Sequence, residues 1–218
     1  MRRALIAVVL AAALPAAADS VRHRFESSVA RGSVRRVVID VPAGDVDIRN
    51  GDGNTISVSG YVSRDPDSDR NRGKEQRIVD DTSVEIVARD NEAVVRRRFG
   101  PQAQGWRAGM FSNYHIVVDV PRGIDIEVQT KYGDLTIDGS FGDIDVDMRA
   151  GDVSVRLPKK DIRQLNASAR VGDVHARLGD ETIEHEGFPG NTRYANPAGK
   201  TIVNVHVTAG DLNVTLTQ

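Results

Sequence analysis

Residues 132–158 read YGDLTIDGSFGDIDVDMRAGDVSVRLP, with Gly-Asp at 133–134, 142–143 and 151–152, nine residues apart each time, and an aliphatic side chain after each pair. Aligned on that period, Leu135, Ile144 and Val153 form one column, Ile137, Val146 and Val155 the next, and Gly139, Met148 and Leu157 a third. Short repeats that cannot hide an apolar face alone bury it by stacking in register, which matching aliphatic columns allow. Nine residues divide into a strand of about five and a turn of about four. Such a unit is too short for a whole solenoid coil, so the period predicts two units per coil or a meander of hairpins.

Outward from this stretch the same phrase returns at Gly44-Asp45-Val46, Gly172-Asp173-Val174 and Gly210-Asp211-Leu212. Period-two alternation runs through Val37, Ile39 and Val41, through Ile116, Val118 and Val120, and through Val203, Val205 and Val207, with polar residues between. Each such segment has one buried and one wet face. No segment past the N-terminus sustains a helical period over three turns. The chain is therefore expected to be all-β, a single-domain β-solenoid with regular repeats over 124–218; the alternative is a two-sheet β-sandwich or meander. Three stretches read as loops: the charged 64–77, the segment 99–113, and the Gly- and Pro-rich 181–200.

The N-terminus MRRALIAVVLAAALPAAA has a basic start, a short apolar run and a small-residue exit, which predicts a signal peptide over 1–18, followed by a leader segment over 19–33 and the repeat domain over 34–218. The apolar run is too short for a membrane span, which needs about 20 apolar residues. Loss of Arg2 and Arg3 leaves 27 basic against 31 acidic side chains, a formal charge of −4. That balance argues against nucleic acid as a partner. The absence of cysteine excludes disulfides, thiol catalysis and a lipidated cysteine.

The phrases VPAGDVDIRNGDGNTISVSG near the start, YHIVVDVPRGIDIEVQTKYGDLTI in the middle and TIVNVHVTAGDLNVTLTQ at the end resemble the bacterial putative-adhesin family, over about residues 34–218. The resemblance implies a β-solenoid-like, exported or membrane-tethered domain with no established catalytic residues.

The residues themselves offer four kinds of candidate site. A calcium β-roll needs paired glycines upstream of its aspartate to supply backbone carbonyls, and these are missing, so Gly-Asp reads as a turn: glycine takes positive φ and aspartate accepts a backbone amide in an Asx-type turn. Asp143, Asp145 and Asp147 project from one face about 7 Å apart, a spacing that an inverting glycosidase pair also uses, but aspartate on a wet strand face is ordinary. The five histidines show no ligand spacing. The remaining candidate is loop 99–113, where Phe99, Trp106, Arg107 and Phe111, with Met110, follow Arg96-Arg97-Arg98. These residues either bind an envelope glycan or protein partner, as Trp and Arg often do, or fold back to cover an open end of the solenoid. The expected function is a non-catalytic, exported binding or structural module, periplasmic or extracellular, without metal or cofactor. The opposing expectations are an enzyme acting on polysaccharide and a calcium-binding β-roll.

Overall fold

The computed structural model describes residues 22–51, 53–64, 72–101, 112–179, 181–185 and 189–218. The expected signal peptide lies outside these residues, as do Trp106, Arg107, Met110 and Phe111.

The first half of the chain runs β1 (Arg22–Ala30), β2 (Arg36–Asp40), β3 (Asp45–Asn50), β4 (Thr55–Arg64), α1 (Arg72–Asp80), β5 (Thr82–Arg89), β6 (Glu92–Phe99) and β7 (Ser112–Val120). The second half continues with β8 (Asp125–Tyr132), β9 (Leu135–Asp138), β10 (Ile144–Ala150), β11 (Val153–Pro158), β12 (Ile162–Val171) and β13 (Val174–Leu178). It ends with β14 (Glu181–His185), β15 (Gly190–Ala195), β16 (Thr201–Ala209) and β17 (Leu212–Thr217). They form two sheets, in the order β1-β4-β7-β3-β9-β11-β17-β13-β14 and β15-β12-β16-β10-β8-β2-β6-β5. The expected solenoid is present, in flattened form. Within each stacked coil the chain passes from the eight-stranded sheet to the nine-stranded one, as from β8 to β9 and from β10 to β11, and the inward side chains of both sheets make one core.

Two nine-residue units make one coil. Leu135 and Val153 are parallel register partners in the nine-stranded sheet, whereas Ile144 lies in the eight-stranded sheet between Ile126 and Val203. The nine-residue columns read from the sequence are thus each divided between two facing sheets, and the repeat in space is eighteen residues. The physical reason is that strand periodicity specifies which face is buried but not which sheet a strand joins. Within a sheet the columns are continuous: Ile116, Val46, Leu135, Val153, Leu212 and Val174 lie side by side on successive strands, all at 1% exposure or less. Each such side chain contributes about 1.5–3 kcal/mol by leaving water.

The stacking order departs from chain order at both ends. β16 and β17 lie between the β10–β11 coil and the β12–β13 coil, and β6 and β7 lie outside β2 and β3. Antiparallel strands flank the parallel centre. β1 and β4 extend one sheet beyond β7, β5 extends the other beyond β6, and Ile86 N–H donates to Ser27 Oγ across them at 3.3 Å. Together with Val79 of α1, which is fully buried, Phe25, Val84 and Ile86 close that end. The segment 19–33, read as a leader, therefore contains the edge strand β1.

Two other expectations need correction. Residues 72–80, placed partly in a solvated loop, form helix α1. Its buried face rests on Val79 and on Glu75, which is 6% exposed and lies 3.7 Å from Arg64 Nη1, so a search for an apolar stripe passes over it. Residues 181–200 contain the strands β14 and β15. In β15 the inward positions are Gly190, Thr192 and the partly buried Tyr194, of which the first two are too small and polar to register as a hydrophobic alternation.

The glycines at the corners set how closely coils approach. Gly151 has φ 128°, and a Cβ there would overlap the carbonyl oxygen of Gly133 in the coil beside it. Gly133 stands in the same relation to Gly44, Gly210 to Gly151, and Gly172 to Gly210. By contrast, Gly123 has φ 73° with nothing near the position a Cβ would take. Gly123→Ala is expected to cost about 1 kcal/mol, from backbone strain alone, and Gly151→Ala at least about 3 kcal/mol, because it must also separate two coils. Urea denaturation of the two variants measures the difference.

Candidate binding surface

The aspartates of the corners form a ladder. Asp134 N–H donates to Asp45 Oδ1 at 3.1 Å, Asp152 N–H to Asp134 Oδ1 at 3.1 Å, Asp211 N–H to Asp152 Oδ1 at 2.9 Å, and Asp173 N–H to Asp211 Oδ1 at 3.0 Å. In the opposite direction, the amide of the aliphatic residue after each aspartate donates to the next aspartate's carbonyl: Val46 to Asp134, Leu135 to Asp152, Val153 to Asp211 and Leu212 to Asp173, at 2.8–2.9 Å. The expected backbone acceptor role holds, but the amide belongs to the neighbouring coil and not to the aspartate's own turn. Asp143 occupies the opposite corner, where its amide donates to Asp125 Oδ1 at 2.9 Å and its own Oδ1 accepts from Ile202 N–H at 2.8 Å.

Asp145 and Asp147 are exposed on β10, as alternation requires. They line an open groove of about 640 Å³ with Asp40, Glu127, Gln129 and Arg149. Glu127 is engaged there by Arg36 Nη1 at 3.2 Å and by Gln129 Nε2 at 2.8 Å. On the other sheet's outer face, Arg49 Nε donates to Asp119 Oδ1 at 2.6 Å, which raises the arginine's already high pKa. Asp119 Oδ2 also accepts from Ser57 Oγ at 3.3 Å. His206 is exposed beside Ser168, with Oγ and Nδ1 3.1 Å apart, and His175 is half-buried. Among the described residues no group of three or more His, Asp or Glu is placed to hold a metal ion.

Of the residues proposed in loop 99–113, Phe99 lies within the described structure, at the end of β6 and 37% exposed. In sequence the residues between β6 and β7 stand where the other coils have Gly-Asp between the corresponding strands. Next to them the pattern of β6 is broken. Ala93 and Val95 face the core and the next inward position is Arg97, whose guanidinium carbon lies 5.1 Å from the Phe99 ring centre and 5.3 Å from that of Tyr114. Arg96 and Arg98 pair with Glu85 at 2.9 and 3.8 Å, whereas Arg97 Nε and Nη1 and the hydroxyl of the 2%-exposed Tyr114 are buried with no hydrogen-bond partner. Ring faces compensate part of the buried charge but leave the in-plane N–H groups unmet.

A family described as Toastrack DUF4097 matches residues 28–215. The chain belongs to that family. A crystal structure of a putative cell adhesion protein from Clostridium sporogenes has the same fold, with TM-score 0.53 and 12% identity over 91% of this chain and 100% of that one. Comparison with curated proteins gives no match. The resemblance seen in the sequence is thus confirmed at the level of a Toastrack domain, the family's β-solenoid-like fold. Among the described residues no helix is long and apolar enough to cross a membrane.

Sequence reasoning did not single out Arg97 as an inward-facing cation or Tyr114 as its neighbour. The signal was the interrupted alternation Ala93, Val95, Arg97. For the aspartates the expected outcome is structural: Asp152→Ala, which removes the acceptor for Asp211 N–H, lowers stability by about 1 kcal/mol, and Asp152→Asn, which retains an acceptor oxygen, by less. EDTA is expected to leave the melting temperature of the unmodified chain unchanged, since loss of a native-state ion would lower it.

Proposed function

We propose that this Toastrack domain is an exported, non-catalytic binding module of the cell envelope, adhesin-like in that it holds a glycan or protein partner, with no nucleic acid, metal or cofactor involved. The observation that carries this is the β6–β7 corner. In the stacked coils from β2–β3 to β12–β13 the Gly-Asp corner serves main-chain contact between coils. At β6–β7 that dipeptide is replaced by a longer basic and aromatic segment, flanked by an unpaired Arg97. Phe99, Trp106, Arg107 and Phe111 are the residues assigned to partner contact. Closure of the adjacent end by β1, β5 and α1 supports this over a covering role, since that end has its own buried side chains. The family match and the Clostridium sporogenes likeness are consistent with such a role.

The aspartates support the non-catalytic assignment. Asp45, Asp134, Asp143, Asp152 and Asp211 are bound to backbone amides, and the groove over β10 is open along the sheet. A hydrolytic pair would need two converging carboxylates with water held between them.

Trp106→Ala is expected to lower retention of the purified chain on envelope preparations more than tenfold and to leave its melting temperature within about 2 °C of the unmodified chain. A loss of several degrees, corresponding to about 2 kcal/mol or more, would assign Trp106 to the core instead. Incubation with envelope polysaccharide should release no reducing ends; release that disappears in the Asp145→Asn/Asp147→Asn variant would establish the enzyme.

A further inference from the structure

Aromatic side chains are only 5% of this chain, yet three of its four tyrosines line one cleft. The cleft encloses about 550 Å³, within the range of small-ligand sites, and sits where the Gly-Asp corner row meets the outer face of the nine-stranded sheet. Tyr61 comes from β4, Tyr114 and His115 from β7, and Tyr132 from the end of β8, so four rings far apart in sequence are brought together by the register of the coils.

The rings are held in place by their own neighbours. Tyr61 and His115 lie 5.4 Å apart centre to centre at a 32° tilt, and the guanidinium carbon of Arg22 lies 4.6 Å from the outer ring's centre. His115 Nε2 is 3.6 Å from Asp47 Oδ2. Tyr132 is 53% exposed, a large ring left open to water. Gly44 and Gly133 contribute bare main chain to the lining between these rings. Asp45 and Asn113 add polar groups at the edge. Asp45 uses Oδ1 for the corner ladder, where it accepts from Asp134 N–H.

We infer that this cleft is a carbohydrate subsite for uncharged pyranose units. A pyranose is amphipathic: its C–H face packs on an aromatic ring, and its hydroxyls need planar donors and acceptors at the ring's edge. Tyr132 supplies the first, and the edge of Tyr61 with Asp45, Asn113 and His115 the second. Asp45 and Arg22 give the lining one negative and one positive side chain, so it offers no net positive charge to hold a uronate or phosphate-bearing chain. The site deepens the proposed binding role by naming a ligand class. It uses none of the residues assigned in loop 99–113.

The test uses the full mature chain and oligosaccharides of neutral hexoses and N-acetylhexosamines, with an oligouronate for comparison. Binding is followed by calorimetry and by NMR shifts of Tyr132 and His115. The expected result is binding of a neutral oligosaccharide that Tyr132→Ala and Tyr61→Ala each weaken at least tenfold, that Tyr132→Phe preserves, and that substitution of the fourth tyrosine, Tyr194→Ala, leaves unchanged. Tyr132→Ala should not shift the melting temperature, which separates lost binding from lost folding. Absence of binding to every neutral oligosaccharide, preference for the oligouronate, or binding indifferent to Tyr132→Ala would overturn the inference. If the chain is retained on envelope material but Tyr132→Ala has no effect there or on oligosaccharides, the subsite falls and the binding module stands. If it binds a neutral oligosaccharide through Tyr132 but is not retained on envelope, the subsite stands and the envelope role falls.

Discussion

The close approach of main chain to main chain at the Gly-Asp corners constrains everything else in this protein. A side chain at Gly133, Gly151, Gly172 or Gly210 would occupy the space of the carbonyl in the next coil, so only glycine allows successive coils to lie at strand spacing there. The aspartate that follows then bridges to the neighbour's amide through its carboxylate, while the neighbour's carbonyl accepts from the next aliphatic residue. Each corner is therefore fixed to the one beside it by two hydrogen bonds that run in opposite directions. A one-residue slip would break both and would turn every buried aliphatic outward, because strand side chains alternate faces. The corner chemistry and the core columns specify one and the same register.

Much of this could be read from residues 132–158. The nine-residue period, the buried columns and the structural role of Gly-Asp follow from side-chain pattern and glycine's conformational range. What could not be read is neighbour order. Leu135, Val153, Leu212 and Val174 are interchangeable as core residues, so nothing in their type reveals that β17 lies between β11 and β13. The long connection over 179–200 is what permits that insertion, and its strand β15 is hard to read because Gly190 and Thr192 bury little apolar surface. Helix α1 is illegible for a related reason, since one of the two buried side chains described in it is a glutamate.

The functional surfaces follow the same division. Phe99 and its loop stand out in sequence because basic and aromatic residues are contiguous there. The tyrosine cleft does not, because Tyr61, His115 and Tyr132 become neighbours only through coil register, each looking like an isolated aromatic on a wet strand. A solenoid of this kind places its core inside by local alternation and leaves the outer faces and corners free to vary, so binding groups accumulate where a corner departs from the Gly-Asp pattern or where outward rings happen to align across strands. Arg97 and Tyr114 sit beside the first of these sites, and Tyr114 also lines the second.

The stacking order can be measured directly, because the chain contains no cysteine of its own. Ser154 and Asn213 are register partners on β11 and β17, while His175 lies on the far side of Asn213. Cα separations are about 5 Å for Ser154 with Asn213 and about 10 Å for Ser154 with His175, and a disulfide reaches only to about 7 Å. Under mild oxidation of the folded protein, the pair Ser154→Cys/Asn213→Cys should close and the pair Ser154→Cys/His175→Cys should stay open. Closure of the second pair and not the first would mean that the coils stack in chain order, and the ladder from Asp45 to Asp173 described here would not exist.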